Sequence, residues 1–279
     1  MNEIGLFIQY KKDIAFGKRV DEAIAIGAEC CQLGFWDPTL YTDENATLIN
    51  KALNGKKFRI SALWAGWSGP CEWNFTNGPV TIGLVPEQYR EMRKKELLAA
   101  SEFAAKIGVK QIITHVGFLP NDPNDTNYIG TVNVIREIVE VMRARGQYFL
   151  FETGQETPVT LLRAIIDIGK DNVGINLDMA NLILYGMACT PDAVDVFGKY
   201  VMNTHVKDGT LPTDPYKLGH EVKAGEGRAN IPAVIEKLCK LGYTGPFVVE
   251  REISGEEQKR DIIDTFAYLN NIKANITSL

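Results

Sequence analysis

Four side chains that commonly bind metal ions follow four apolar segments in the second half of the sequence. Glu152 ends the segment YFLFE, Asp178 follows VGINL, His205 follows VMNT and Glu250 follows PFVV. Each segment is rich in β-branched or aromatic residues, which is typical of a buried β-strand. Side chains alternate between the two faces of a strand, so each of the four residues shares a face with the residue two positions earlier. If the strands are neighbours, the four side chains converge.

Three carboxylates and one imidazole form a ligand set for a divalent cation. Carboxylates packed together repel one another and raise each other's pKa unless a cation neutralises them. Mixed oxygen and nitrogen ligands suit Mn²⁺, Mg²⁺, Co²⁺ or Zn²⁺, of which we expect Mn²⁺ first. One acidic residue after a strand is commonly a helix cap or a surface charge. Capping alone does not explain three acidic residues and a histidine after four successive strands.

Apolar segments and helical patterns alternate along the whole chain. The eight segments span 4–9, 30–35, 59–65, 111–117, 147–152, 173–179, 201–207 and 246–251, and the clearest helical patterns span 17–28, 86–108 and 131–146. Prolines near the expected first turn of three later helices fit this order: Pro158, Pro191 and Pro232. The alternation predicts an α/β protein with one (β/α)8 TIM barrel domain over residues 1–279. Periodicity does not exclude a doubly wound open sheet.

Composition limits the classes of protein. The 279 residues are 45% hydrophobic and 23% charged, which is ordinary for a globular enzyme. The net charge of −5 argues against a nucleic-acid partner. We expect no membrane association, because the sequence has no long apolar run and its first residues lack a signal-peptide pattern. Five scattered cysteines without a C-x-x-C pair predict reduced thiols and a cytoplasmic location. The sequence is compatible with a homo-oligomer.

An aromatic stretch follows the third strand, in residues 64–86. It contains Trp64, Trp67, Trp73 and Phe75 among glycines and prolines. In a barrel, the loops that follow the strands form the active-site face. We interpret the stretch as a lid or wall of a binding pocket, with Trp67 as a substrate contact. The alternative is a hydrophobic plug over the mouth of the barrel.

The whole chain resembles the xylose-isomerase-like TIM barrels, specifically the sugar-phosphate isomerase/epimerase group. That group includes tagatose-type ketose 3-epimerases, hydroxypyruvate isomerase and inosose dehydratase. The most specific segments are FETGQE (151–156), INLDMAN (175–181), NTHVKDG (203–209), GEGRANIPAVIEKL (225–238) and VVERE (248–252). The resemblance implies that Glu152, Asp178, His205 and Glu250 bind the metal, and that Glu152 and Glu250 also transfer protons.

The resemblance also suggests substrate-binding residues. Many members carry a histidine where this chain has Asn181, and Arg228 matches a family arginine that contacts substrate. His115, after the fourth strand, is a further candidate, with a structural histidine as the alternative. Lys207 would bind a substrate oxygen or pair with a carboxylate. Glu156 would bind a sugar hydroxyl or favour the start of the next helix.

A phosphate site is a weaker hypothesis. The loop GEGRAN precedes a helix, and its backbone N–H groups could hold a phosphate. The loop lacks the glycine spacing of a known phosphate fingerprint.

These residues together imply a divalent-metal-dependent isomerase or epimerase of a small sugar or sugar phosphate. Two glutamates would move a proton through an enediolate intermediate that the metal stabilises. A metal-dependent lyase or dehydratase acting on a keto-sugar or keto-inositol is the alternative. A sugar-binding barrel without catalysis is the second alternative. A three-metal phosphodiesterase of the endonuclease IV kind is disfavoured by the three histidines and the negative charge.

Overall fold

Eight parallel strands close into a barrel, which confirms the TIM-barrel prediction and excludes the open sheet. The computed structural model describes residues 2–276. In chain order the strands are β1 (Ile4–Gln9), β2 (Cys30–Phe35), β3 (Arg59–Ala65), β4 (Gln111–Thr114), β5 (Tyr148–Glu152), β6 (Val173–Asp178), β7 (Val201–Val206), β8 (Asp208–Gly209), β9 (Glu221–Val222) and β10 (Phe247–Val249). Strands β1 to β7 and β10 form the barrel, and β10 pairs with β1 to close it. Strands β8 and β9 form a separate antiparallel pair in the loop after β7.

Helices surround the barrel. They are α1 (Phe16–Ala25), α2 (Asp43–Leu53), α3 (Gly78–Thr81), α4 (Glu87–Lys106), α5 (Thr126–Ala144), α6 (Pro158–Ile168), α7 (Asn181–Leu184), α8 (Thr190–Phe197), α9 (Ile231–Lys240) and α10 (Glu256–Ile276). Helix α5 begins at Thr126 rather than at residue 131, because Asp125 caps it by accepting the Asn127 N–H. Pro158, Pro191 and Pro232 lie in the first turns of α6, α8 and α9, as predicted. Among the described residues, no helix is long and apolar enough to cross a membrane.

Apolar side chains pack in two layers. The large layer lies between the strands and the surrounding helices. A small cluster joins one face of β3, β4 and β5 and includes Trp64, Ile113 and Leu150. Side-chain alternation puts His115 on the face of Ile113 and Glu152 on the face of Leu150. Polar residues at the C-terminal ends of the strands therefore lie next to the apolar interior of the barrel.

The strands are staggered along the barrel axis. This stagger determines which residues of neighbouring strands lie at the same height. Asp178 of β6 pairs in register with His205 of β7. Glu152 pairs with Asn176 rather than with Asp178. Such a shift in register is the shear that a closed barrel requires. The four predicted ligands therefore converge from staggered positions, not from a single row.

Candidate metal and active site

The four predicted metal ligands meet at one point. One ligand atom from each of Glu152, Asp178, His205 and Glu250 lies within 4.8 Å of all the others. The His205 Nδ1 atom lies 3.0 Å from Glu152 Oε1, 3.1 Å from Glu250 Oε2 and 3.5 Å from Asp178 Oδ2. All four side chains are at least nine-tenths buried. The sequence therefore identified a group that could hold a metal ion.

Hydrogen bonds hold all three carboxylates in place, and Glu250 Oε2 accepts one from the Lys207 ammonium at 3.0 Å. Asp178 Oδ1 accepts the backbone N–H groups of Ala180 and Asn181 at 2.8 and 2.7 Å. Glu152 Oε2 accepts the indole N–H of Trp64. These bonds leave Asp178 Oδ2 and Glu152 Oε1 facing His205. Glu250 Oε1 accepts no hydrogen bond within the described part of the chain, so its carboxylate keeps one oxygen free.

A buried amide sets the orientation of the His205 ring. Gln32 Nε2 donates to Asn176 Oδ1 at 2.8 Å and to Asn203 Oδ1 at 2.9 Å, so Gln32 Oε1 points to the ring. This oxygen lies 2.6 Å from His205 Nε2. The N–H of the neutral ring is therefore on Nε2, and the Nδ1 lone pair faces the three carboxylates. Three carboxylate oxygens and one imidazole lone pair fit a divalent cation.

Lys207 balances part of the negative charge. Its ammonium lies 3.0 Å from Asp178 Oδ2, 3.0 Å from Glu250 Oε2 and 3.2 Å from Glu252 Oε2. Burial disfavours the charged amine, but these carboxylates outweigh burial and raise the pKa of Lys207. Of the two roles that the sequence left open for Lys207, the structure shows the pairing with carboxylates.

The same carboxylates act on the imidazole. Burial disfavours a charged ring, but Glu250 and Glu152 outweigh burial and raise the pKa of His205. A proton on Nδ1 would therefore compete with a cation at this position, which would link metal affinity to pH.

A cavity of about 500 Å³ opens beside the ligand group. Its lining includes Glu152 and Glu250, an aromatic wall, and several polar side chains from the loops that follow the strands. The aromatic wall consists of Trp36, Trp64 and Trp73. Ring centroids of Trp36 and Trp64 are 4.5 Å apart. The C-terminal face of the barrel therefore carries a pocket of the size that small-molecule ligands occupy.

The aromatic stretch forms part of this wall, and one tryptophan lies behind it. Trp73 lines the cavity, and its ring centroid is 5.0 Å from that of His115. Trp67 is buried outside the lining, and the Arg93 guanidinium is 5.2 Å from its ring centroid. The sequence analysis missed Trp36. Its position directly after the β2 segment could have indicated a residue at the C-terminal face of the barrel.

The structure brings only some of the predicted substrate contacts to the cavity. His115 and Asn181 line it, and His115 Nε2 lies 3.6 Å from Glu152 Oε1. Lys207 and Glu156 are buried outside the lining, and burial raises the pKa of Glu156 to about 8. Arg228 is exposed and outside the lining.

Two further polar residues of the lining were not predicted. Gln155 and Tyr185 are buried and interact with each other, but within residues 2–276 neither the Gln155 amide nor the Tyr185 hydroxyl makes a hydrogen bond of ordinary geometry. The His115 Nδ1 atom is also without a partner. Buried polar groups are normally hydrogen-bonded, so a group of unpaired ones around a cavity indicates a polar ligand. The position of Gln155 in FETGQE, beside Glu156, is the signal that could have identified it.

The loop GEGRAN holds an internal carboxylate. Asp208 accepts the backbone N–H groups of Gly225, Gly227 and Ala229 at 2.9 to 3.0 Å. These N–H groups are therefore not free to hold a phosphate, and the phosphate hypothesis loses its donors.

Fold and site together define a TIM barrel with a potential metal centre at the C-terminal ends of its strands. The model of the xylose isomerase-like TIM barrel family matches residues 20–272, and the chain belongs to this family. The resemblance inferred from the sequence motifs is thereby confirmed.

Several known proteins are similar to this chain in sequence or structure. A xylose isomerase domain protein from Planctomyces limnophilus has a TM-score of 0.91 and 29% identity over 99% of both chains. A xylose isomerase-like TIM barrel protein from Mycobacterium smegmatis, in complex with magnesium, has a TM-score of 0.73 and 17% identity, covering 99% of this chain and 98% of the other. An uncharacterized protein of Methanocaldococcus jannaschii is 24% identical over 67% of this chain, and the match spans 66% of that relative's length.

The fold also occurs in sugar epimerases and in a dehydratase. L-ribulose 3-epimerase has a TM-score of 0.71 and 15% identity, covering 100% of this chain and 99% of the other. A probable 3-DHS dehydratase from Bacillus anthracis has a TM-score of 0.68 and 17% identity, covering 95% and 98%. At this level of identity, the likeness concerns the fold.

Proposed function

We propose that the protein is a divalent-metal-dependent isomerase or epimerase of a small sugar or sugar phosphate. The observation that carries the proposal is the convergence of three carboxylate oxygens and the His205 Nδ1 lone pair beside a cavity with unpaired hydrogen-bonding groups. Glu152, Asp178, His205 and Glu250 would hold the cation. The occurrence of the fold in ketose epimerases supports this reaction class.

The reaction needs a base beside the substrate carbon. A bound divalent cation supplies polarisation of a substrate carbonyl, which makes the neighbouring proton more acidic. Glu250 removes that proton through its free oxygen, Oε1. Glu152, whose Oε2 has exchanged the Trp64 N–H for a proton from solvent, delivers that proton to the substrate from another strand. Between turnovers, Glu250 releases to solvent the proton that it removed. Return to the other face of the same carbon gives epimerisation, and return to the neighbouring carbon gives aldose–ketose exchange.

The remaining lining residues would bind and shield the substrate. Gln155 and Tyr185 offer an amide and a hydroxyl to substrate hydroxyl groups, because neither makes a hydrogen bond of ordinary geometry within residues 2–276. His115 and Asn181 lie on the same lining. Burial lowers the pKa of His115, so its ring is neutral and serves as a hydrogen-bond donor. The aromatic wall excludes water from the substrate carbon that has lost its proton.

Mn²⁺ is the cation that we expect first, with Mg²⁺, Co²⁺ and Zn²⁺ as alternatives. The three oxygens and one nitrogen suit all four ions, whereas Ca²⁺ prefers six to eight oxygens. The magnesium complex of the structure from Mycobacterium smegmatis is consistent with an oxygen-rich site. We also expect a cytoplasmic protein that binds carbohydrate and not nucleic acid.

A metal-dependent lyase or dehydratase is the second candidate. The probable 3-DHS dehydratase from Bacillus anthracis has the same fold, and removal of a proton next to a carbonyl begins both kinds of reaction. Loss of a hydroxyl group as water, instead of return of the proton, would distinguish them.

The test is a screen of ketoses, keto-inositols and their phosphates with the Mn²⁺-loaded protein in D₂O, followed by NMR. Isomerisation or epimerisation with deuterium at one carbon supports the first candidate. Formation of an unsaturated product supports the second. Binding without exchange or product would favour a non-catalytic sugar-binding barrel.

A further inference from the structure

The cavity has a second end, away from the metal ligands. Arg19 enters the lining from α1, and Gln258 and Ile262 enter it from α10. Arg19 Nη1 donates to the Gln9 carbonyl at the end of β1, at 3.0 Å. Strand β1 pairs with β10 through Leu6 and Val249. Gln9 is therefore two residues beyond the level of Glu250, or about 7 Å at the rise of a strand.

Arg19 is the unpaired cation of this lining. No carboxylate lies within ion-pair distance of its guanidinium in residues 2–276, and Glu22, one turn further along α1, pairs with Lys18 at 3.9 Å. The other guanidinium of the lining, Arg251, lies 3.0 Å from Glu221 and 2.9 Å from Asp261. Arg19 is half-buried, and burial lowers its pKa, yet arginine stays charged in proteins.

The lysine beside the predicted metal ligands, unlike Arg19, already has carboxylate partners. Lys207 has three carboxylate neighbours, and the loop that could have held a phosphate is filled by Asp208. A half-buried charge without a partner is costly unless a ligand supplies the opposite charge. Guanidinium groups bind phosphate and carboxylate with paired N–H bonds.

We propose that Arg19 binds an anionic group of the substrate, a phosphate ester or a carboxylate, a few carbons from the reacting centre. This inference rests on the proposed function for the rest of the substrate. It narrows the substrate class from sugars in general to sugar phosphates or sugar acids.

The experiment compares D-fructose, D-fructose 6-phosphate and D-fructuronate, which differ in the terminal group. Their dissociation constants for Mn²⁺-loaded protein are measured by calorimetry with wild type, Arg19→Met and Arg19→Lys. Lys18→Met is the control, because Lys18 is a neighbouring exposed cation outside the lining. We expect wild type to bind one charged compound about 10–100-fold more tightly than D-fructose, the usual effect of charge-assisted hydrogen bonds. The preferred compound identifies phosphate or carboxylate.

Arg19→Met should abolish this preference without weakening D-fructose, Arg19→Lys should retain part of it, and Lys18→Met should keep it. No preference in wild type, or equal weakening of all three compounds, would overturn the proposal.

Inorganic phosphate gives a readout that is independent of metal and turnover. The metal-free wild-type protein should broaden the ³¹P line of inorganic phosphate. This broadening should be lost in Arg19→Met and kept in Lys18→Met. Arg19-dependent phosphate binding without binding of any carbohydrate would contradict the proposed function and leave the anion site standing. Equal broadening by wild type and Arg19→Met would contradict the anion site alone.

Discussion

The Gln32 carboxamide oxygen lies 2.6 Å from His205 Nε2, although the two residues are 173 positions apart in the chain. Gln32 Nε2 donates to Asn176 and Asn203, so the amide cannot turn without losing these two acceptors. This contact leaves the opposite nitrogen of the ring, Nδ1, facing Glu152, Asp178 and Glu250. A second-sphere hydrogen bond of this kind fixes ring orientation in metal sites.

Replacement of this amide should weaken metal binding. Gln32→Met keeps much of the volume but leaves the His205 N–H without an acceptor in a buried site. We expect the affinity for Mn²⁺ to fall by about 10–100-fold, as for other second-sphere changes. Calorimetric titration of metal-free protein measures this, with Gln88→Met on an exposed helix position as the control. Unchanged affinity for Mn²⁺ in Gln32→Met would show that the His205 ring is oriented without the Gln32 amide.

Loss of a metal ligand should remove metal and activity together. Asp178→Ala and His205→Ala each delete one converging group, so elemental analysis should show a large loss from about one ion per chain. His220→Ala is the matched control, because His220 is exposed in the loop after β7. Equal metal content in wild type and both ligand variants would contradict the site.

The two glutamates should differ in their effects on proton transfer. Glu152→Gln and Glu250→Gln keep the side-chain volume but remove the basic site, so turnover should fall by about 10²–10⁴-fold. Glu152→Gln should still exchange the substrate proton with D₂O, because Glu250 has the free oxygen. Glu250→Gln should lose that exchange. Near wild-type turnover in both variants would exclude the two-glutamate mechanism and favour His115 as the base.

Replacement of Trp73 should affect substrate binding, whereas replacement of Trp67 should affect stability. Trp73→Ala removes part of the cavity wall, so KM should rise about tenfold or more while metal content is unchanged. Trp67→Ala removes a buried ring that contacts Arg93, and it should chiefly lower the midpoint of thermal unfolding. Tryptophan fluorescence should change when substrate is added to wild type. Unaltered kinetics in Trp73→Ala would favour the hydrophobic plug.

Glu156 should make the protein less stable as pH rises. Burial raises the pKa of its carboxyl from 4.5 to about 8, so between these values the folded state holds more protons than the unfolded chain. Its contribution is fully present below the unfolded pKa and is lost through this window, by up to about 1.4 kcal/mol per pH unit. Urea unfolding at several pH values should show a flatter profile for Glu156→Gln than for wild type. The exposed control Glu257→Gln should keep the wild-type slope, and an identical slope in Glu156→Gln would contradict the prediction.

The sequence by itself predicted the alternation of strands and helices and the four side chains that converge, whereas the closed barrel was distinguished from an open sheet only by the tertiary structure. Eight apolar segments in alternation with helices define the fold, because parallel strands need helical connections. Glu152, Asp178, His205 and Glu250 could be found because the C-terminal ends of parallel strands lie on one face. Strand alternation also predicted the inward direction of His115.

Only the tertiary structure decided which other polar groups face the cavity. Trp36, Gln155 and Tyr185 lie on three different loops or short helices, and no period in the sequence fixes where a loop side chain points. The same holds for Arg228, which the motif comparison favoured and which the structure leaves exposed. The Gln32–His205 contact depends on the closure of the barrel, which brings side chains of β2 and β7 together although these strands are not neighbours.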